Sequence, residues 1–185
     1  METAQHCVAR AATHEDYIYI PEIVQEIALS ATKRKVSKGL RSPEYIAQKI
    51  KSGLAVISIQ PQTKTWLGFA YLEVWEHQKY VAGSGLIVSP PYRGIGVAKA
   101  IKQELFSLSR TKFPEARILS LTTNPAVIHA NLELGYQYVS HDHIVNDQLF
   151  QEGRHSWIDF KKLMKSEQSK KKYVAMIFDP PHHKI

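Results

Sequence analysis

The residues best placed to do chemistry lie in one stretch, Leu86 to Ile101, which reads LIVSPPYRGIGVAKAI. A β-branched run ends at Val88, two prolines follow, and Gly94, Gly96 and the small Ala98 lead into an apolar-periodic segment. Glycines at a helix start leave consecutive backbone N–H groups uncovered. Together with the helix dipole, such groups bind phosphate without dedicated side chains. The plainer alternative is a helix with a glycine-rich lead-in and no ligand. Two sharper readings fail. A dinucleotide fingerprint needs a third small residue where Lys99 stands, and no G-x-x-x-x-G-K-[ST] phosphate loop occurs.

Other candidate groups are sparser. Lys33, Arg34, Lys35, Lys38 and Arg41 put five basic side chains in one segment, enough to clamp a carboxylate or phosphate, with arginine best suited to a two-pronged contact. The alternative is a solvated basic loop. His141 and His143, two apart on an expected strand and joined by His155, could converge on a metal. They lack a convincing fourth ligand, so no metal is expected. Gly83-Ser84-Gly85 is not a nucleophile elbow, and no serine-based triad can be read.

Elements must position these groups. His6 to Ala12 reads as a first strand, and Thr13 to Asp16 as a helix start with acids at the positive end of its dipole. Pro21 should break or restart that helix before the stripe Ile23, Val24, Ile27 and Ala28. Ser42-Pro43-Glu44 opens a second helix that runs to Gly53. Leu54–Gln60, Trp66–Trp75 and Tyr80–Val88 follow as an antiparallel meander of strands. A helix bearing Val97, Ile101, Leu105 and Leu108 comes next, with Lys99, Lys102 and Gln103 facing away. Arg117–Thr123 is a strand, and Asn124-Pro125 caps a helix that Gly135 closes. Tyr136–His141 reads as strand, 155–168 as helix and Tyr173–Phe178 as a last strand. The order is that of one mixed α/β domain over 1–185.

Composition bounds the partners. The chain has 185 residues and a net charge of +7, of which residues 161–185 carry +5, with seven lysines against Glu167 and Asp179. A basic run of this kind can meet nucleic acid, but is more often a solvated face. Cys7 is the only cysteine, so no intrachain disulfide forms, which fits a reducing compartment. No signal peptide is read and no run approaches the roughly 18 apolar residues of a membrane span, so a cytoplasmic protein is expected.

LIVSPPYRGIGVA resembles the acetyl-CoA signature of the GNAT superfamily of N-acetyltransferases, a strand followed by [QR]-x-x-G-x-[GA] at a helix start. Arg93, Gly96 and Ala98 fill its three defining positions. A second block in the right order, from Asn124 through Ala130-Asn131 to Gly135-Tyr136, is similar to the family's strand, Asn, helix and closing Gly-aromatic pair. The resemblance is strongest over 54–140. It implies a GNAT-like fold, a mostly antiparallel mixed sheet flanked by helices, and acetyl-CoA as co-substrate. Leu86, Ile87 and Val88 would lie along the pantetheine, backbone to backbone, as an added strand does. The amides of Arg93, Gly94, Ile95, Gly96, Val97, Ala98 and Lys99 would cradle the pyrophosphate, and Asn124 would hydrogen-bond the pantetheine besides capping its helix.

The implied reaction is direct attack of a primary amine on the thioester, which needs a base for the amine proton and donors for the oxyanion. The sequence departs from the pattern twice. Where relatives often carry Glu on the strand before the loop stand Gly83, Ser84 and Gly85, which leaves Glu73, on the preceding strand, as the candidate base, unless it points to solvent. Where many have a tyrosine four residues before the closing glycine stands Asn131. The loop between residues 29 and 45 usually shapes the acceptor site in this family, which makes Arg34 and Arg41 the acceptor candidates. Arg41-Ser-Pro-Glu-Tyr-Ile46, GLAVISI and LTTN also resemble, more faintly, the acetyltransferase domain of N-acetylglutamate synthases. A small amine carrying a carboxylate follows as the favoured acceptor. Expected partners are therefore acetyl-CoA and that amine, with a homodimer as an option, no membrane, and nucleic acid disfavoured. The competing reading is a non-catalytic GNAT-fold module that binds acyl-CoA, or nucleic acid through its lysines.

Overall fold

The structure, a computed structural model, describes residues 7–33, 41–153 and 166–181. Among the described residues, seven strands form one sheet in the order β1-β2-β3-β4-β5-β7-β6: β1 (Ala9–Ala11), β2 (Ala55–Ile59), β3 (Trp66–Val74), β4 (Tyr80–Val88), β5 (Arg117–Thr122), β6 (Gln137–Tyr138) and β7 (Val174–Phe178). Pairing is antiparallel between β1 and β2, β2 and β3, β5 and β7, and β6 and β7, while β4 and β5 pair in parallel. Helices α1 (Ile20–Lys33), α2 (Pro43–Lys51), α3 (Val97–Lys112) and α4 (Pro125–Glu133) lie where helices are expected, whereas α5 (His141–Asn146) and α6 (Gln148–Gln151) are not foreseen and α7 (Glu167–Lys172) only overlaps the end of the expected segment 155–168. The fold is α/β with a mostly antiparallel sheet and flanking helices.

The chain divides into two compact units. The first holds residues up to Tyr71 and from Gly85 to Leu105; the second holds Leu72–Ser84 and everything from Phe106. In the first unit, Ile23, Ile27, Ile46 and Ile50, at helical spacing on α1 and α2, pack with Ile57, Phe69, Tyr71 and Ile87 from the strands. The apolar period of 3.6 on the helices meets the period of 2 on the strands, and the buried face of each is spent here. Of the two expected effects of Pro21, breaking or restarting the helix, the structure shows the restart. Pro21 sits in the first turn of α1, where a missing N–H costs nothing, directly after a 3-10 turn over His14–Tyr19.

Among the described residues of the second unit, two apolar clusters stand out. One gathers Trp75, Tyr80, Ala82 and Leu119 with Ile144 and Phe150 of α5 and α6. The other joins Val81, Ile118 and Met176 to Tyr136 and the half-buried Phe106 and Phe178. The expected strand Tyr136–His141 is reduced to Gln137–Tyr138, because Ser140 caps a helix instead: its hydroxyl accepts from the His143 amide at 3.1 Å. The expected helix over 155–168 falls mostly outside the described residues, whereas the last strand forms as read. Lys102, expected to face away from the protein, is buried. Among the described residues, no helix is long and apolar enough to cross a membrane.

Candidate functional site

The glycine loop is built by its two ends. Ser89 N–H donates to the Leu67 carbonyl at 2.8 Å, fixing the last residue after β4, and a short 3-10 turn over Pro90–Tyr92 redirects the chain. Gly94 and Gly96 then take φ values of +81° and +96°, the left-handed region that side chains resist. A Cβ built on either would meet nothing within 4 Å, so the glycines answer a conformational demand and face open space. The first intrahelical bond of α3 runs from Ala100 N–H to the Gly96 carbonyl at 3.0 Å. The amides of Val97, Ala98 and Lys99 therefore precede the helical ladder, at the positive end of a 16-residue helix dipole. Ile95, between the glycines, is 52% exposed.

The loop's arginine is half exposed yet tied to the protein by two contacts. Arg93 Nε donates to the Val88 carbonyl at 3.1 Å, and its Nη2 to Glu26 Oε1 on α1 at 2.6 Å. Cys7 Sγ donates to the Ile95 carbonyl at 3.4 Å. Within β4, ladder pairing with β5 covers Tyr80–Ala82, and the residues from Gly83 to Val88 take no part in it. Leu86 and Val88 are half-buried and Ile87, on the opposite face, is in the core. Gly85 has φ +63°, and a Cβ there would fall 2.2 Å from Tyr71 Cε1.

Of the acceptor candidates, Arg34 lies outside the described residues. Arg41, just ahead of α2, donates from Nε to the Tyr71 hydroxyl at 2.9 Å and stacks over the Tyr45 ring at 5.1 Å. Lys49, a turn after Tyr45, brings its ammonium to 5.3 Å from the Tyr45 ring and 5.4 Å from that of Tyr71. Two cations thus lie over two aromatic rings that meet edge to face at 75°, a cation–π cluster at the start of α2. All of these groups, with Leu86–Val88 and the glycine loop, belong to the first unit.

Glu73, Asn124 and Asn131 belong to the second. Glu73 does not point to solvent: it is 1% exposed. Strand alternation puts it on the face of β3 that carries Phe69, Tyr71 and Trp75. Asn124 caps α4, its Oδ1 accepting from the Ala126 amide at 2.9 Å, which leaves its amide group for another contact. Asn131 is fully buried; its Nδ2 donates to Ser120 Oγ at 2.8 Å while its Oδ1 has no partner.

Histidines at 141 and 143 sit on α5, where positions two apart diverge, and His141 Nε2 lies 2.9 Å from the Tyr173 carbonyl. His155 lies outside the described residues. Among the described residues, no group of three or more His, Cys, Asp or Glu could hold a metal ion. Glu26, Lys49 and Tyr71 are not singled out by the sequence reading. The signal for Glu26 was a carboxylate set against the Ile23 and Ile27 stripe of α1.

Solved structures share this architecture. Rv2747 from Mycobacterium tuberculosis, in complex with CoA and NLQ, matches with a TM-score of 0.65 at 16% identity, over 93% of this chain and 98% of that one. A GNAT superfamily phosphinothricin acetyltransferase from Sinorhizobium meliloti, in complex with AcCoA, matches at 0.61 and 19% identity over 94% and 88%. The fold is that of the GNAT acetyltransferases. N-acetylglutamate synthase from Neisseria gonorrhoeae, complexed with coenzyme A and N-acetyl-glutamate, matches this GNAT fold at 0.60 and 20% identity over 93% of this chain but only 34% of its own. At such identities the likeness is one of fold. No protein-family model matches the chain, and no curated protein matches its sequence. The order of elements and the glycine loop between β4 and α3 are the parts of the GNAT fold that the sequence reading named.

Proposed function

We propose that the protein is an acetyl-CoA-dependent N-acetyltransferase acting on a primary amine that carries a carboxylate. The observation that supports this most is the loop after β4. Two positive-φ glycines open onto empty space, ahead of helix amides that precede the ladder. That is a fit for a pyrophosphate, which needs backbone approach rather than side chains. Amides from Arg93 to Lys99 would hold it and the backbone of Leu86–Val88 would run beside the pantetheine, while Asn124 stays the candidate for a pantetheine hydrogen bond on the family resemblance.

In the reaction the neutral amine nitrogen forms a bond to the thioester carbonyl carbon. The oxyanion takes hydrogen bonds from backbone N–H groups near Val88, and collapse breaks the C–S bond with the electron pair leaving on sulfur. The amine gives up its proton to a base, for which Glu73 stays the candidate on the family resemblance, and the thiolate is released as CoA. The patch of Arg41 and Lys49 over Tyr45 and Tyr71 would orient the acceptor by its carboxylate. The competing reading, an acyl-CoA-binding module without turnover, draws on the absence of the usual Glu and Tyr at positions 83–85 and 131.

The test is thiol release from acetyl-CoA against amino acids, polyamines, aminoglycosides and peptides, with calorimetric CoA binding alongside. Turnover with an acidic amino acid is the expected result. Tight CoA binding with no turnover on any amine would replace the enzyme with the binding module.

A further inference from the structure

The glycine loop needs an anchor that its glycines cannot supply. Nothing lies within 4 Å of a Cβ at Gly94 or Gly96, so packing does not hold the chain at either position. Besides the weak Cys7 Sγ contact to the Ile95 carbonyl, the hold comes from Arg93, whose Nε and Nη2 tie the end of β4 at Val88 to Glu26 on α1. Glu26 is 6% exposed, on a helix whose Ile23 and Ile27 are in the core. Its Oε1 also accepts from Ser30 Oγ at 3.2 Å, so the carboxylate is fixed from its own helix before Arg93 reaches it. A carboxylate this buried persists only with partners of this kind.

We infer that Glu26 is a positioning residue for the phosphate-binding loop: through Arg93 it sets the path of residues 93–96 and the aim of the amides that follow. The inference rests on the proposed role of that loop and adds a residue to it. Its chemistry is unusual in sign. Glu26 is an anion, and CoA is a polyanion. If Glu26 acted only through its charge, removing that charge would tighten CoA binding, and would free the Arg93 cation to help. If Glu26 positions the loop, the same change weakens binding, because the amides lose their aim.

The experiment measures CoA binding by calorimetry, and acetyl-CoA and acceptor KM by steady-state kinetics, for wild type, Glu26→Gln, Glu26→Asp and Arg93→Lys. Glu26→Gln should raise the CoA Kd on the order of tenfold, the scale of one charge-assisted hydrogen bond. The acetyl-CoA KM should rise in step, while kcat at saturation and the acceptor KM move far less. A role confined to holding α1 in the core would instead lower the melting temperature and leave the two KM values in their wild-type ratio. Arg93→Lys keeps the cation but cannot make both bonds, so it should weaken CoA as well. It also remains informative if Glu26→Gln fails to fold, as does Glu26→Asp. Unchanged or tighter CoA binding by Glu26→Gln or Glu26→Asp, or wild-type binding by Arg93→Lys, overturns the inference alone. Failure of the wild type to bind CoA overturns the reading of the loop, and this inference with it.

Discussion

Arg41 donates from Nε to the hydroxyl of Tyr71 at 2.9 Å, and the ring of Tyr71 fills the space that a Cβ on Gly85 would need. One aromatic side chain thus touches both the cation expected to meet the acceptor and the strand expected to lie along the co-substrate. Tyr71→Phe keeps the ring and removes the acceptor of the Arg41 bond. The acceptor KM should rise on the order of tenfold or more with the acetyl-CoA KM unchanged, since hydrogen bonds to charged groups contribute about 1.5–3 kcal/mol. Equal change in both KM values in steady-state assays would place Tyr71 elsewhere in the reaction.

Gly85 and Gly94 should respond differently to alanine. At Gly85 the new methyl meets both a φ of +63° and the Tyr71 ring, so the protein should lose roughly 1–3 kcal/mol and several degrees of melting temperature. At Gly94 only the conformational cost of about 1–2 kcal/mol applies, because no neighbour is near. CoA affinity should nevertheless fall by more than tenfold there, since the methyl occupies the space left for backbone approach. Denaturation and calorimetry on the two variants separate the effects, and a Gly94→Ala protein with wild-type CoA affinity would contradict the phosphate role.

Lys102 is buried on α3, and desolvation brings its ammonium down from 10.5 to about 8. Between those two values the unfolded chain holds the proton that the folded chain has lost. Stability from this group therefore rises with pH across that window and is lowest below it. Relative to Lys102→Met, the wild type should gain on the order of 3 kcal/mol between pH 8 and 10.5. Urea unfolding of both proteins at several pH values measures the difference, and a flat difference curve would exclude a desolvated ammonium.

Asp16 shows the opposite sign. Burial alone would raise its carboxyl, but the hydrogen bonds from Arg10 at 2.7 and 2.8 Å and from the Thr13 amide at 2.8 Å outweigh that and hold it below 3.8. A depressed carboxyl stabilises the fold fully above its unfolded value, and the contribution is lost as pH falls through the folded one. Asp16→Asn should therefore be less stable than wild type at pH 5, with the gap closing in the acid range below 3.8. An unfolding series that shows a constant gap would assign the loss to packing instead.

Much of this was legible in the chain, for reasons that differ by residue. Ser42-Pro43 and Asn124-Pro125 announce helices because a cap and a proline satisfy a helix start locally, with no help from distant residues. Gly94 and Gly96 were legible because backbone geometry alone demands them. Lys102 was misread as outward because helical spacing places it beside Ile101, at the edge of the buried stripe, where the packing partner decides which side it takes. Tyr136 to His141 read as strand on its β-branched and aromatic content, yet Ser140 captured the chain for a helix. Glu26 and Tyr71 were silent because their meaning depends on partners 67 and 30 positions away, Arg93 and Arg41.

The position of β7 has a consequence for how the protein comes into being. β7 inserts between β5 and β6, pairing Ile118–Thr122 on one side and Gln137–Tyr138 on the other. On a ribosome, β5 and α4 emerge more than forty residues before the strand that must lie between β5 and β6. Until Phe178 is released, both strands wait with open edges, and closing them is a long-range step of the kind that folds slowly. The nascent chain therefore keeps these two edges open to wrong pairing until β7 arrives, and a chaperone that shields them would act in that interval.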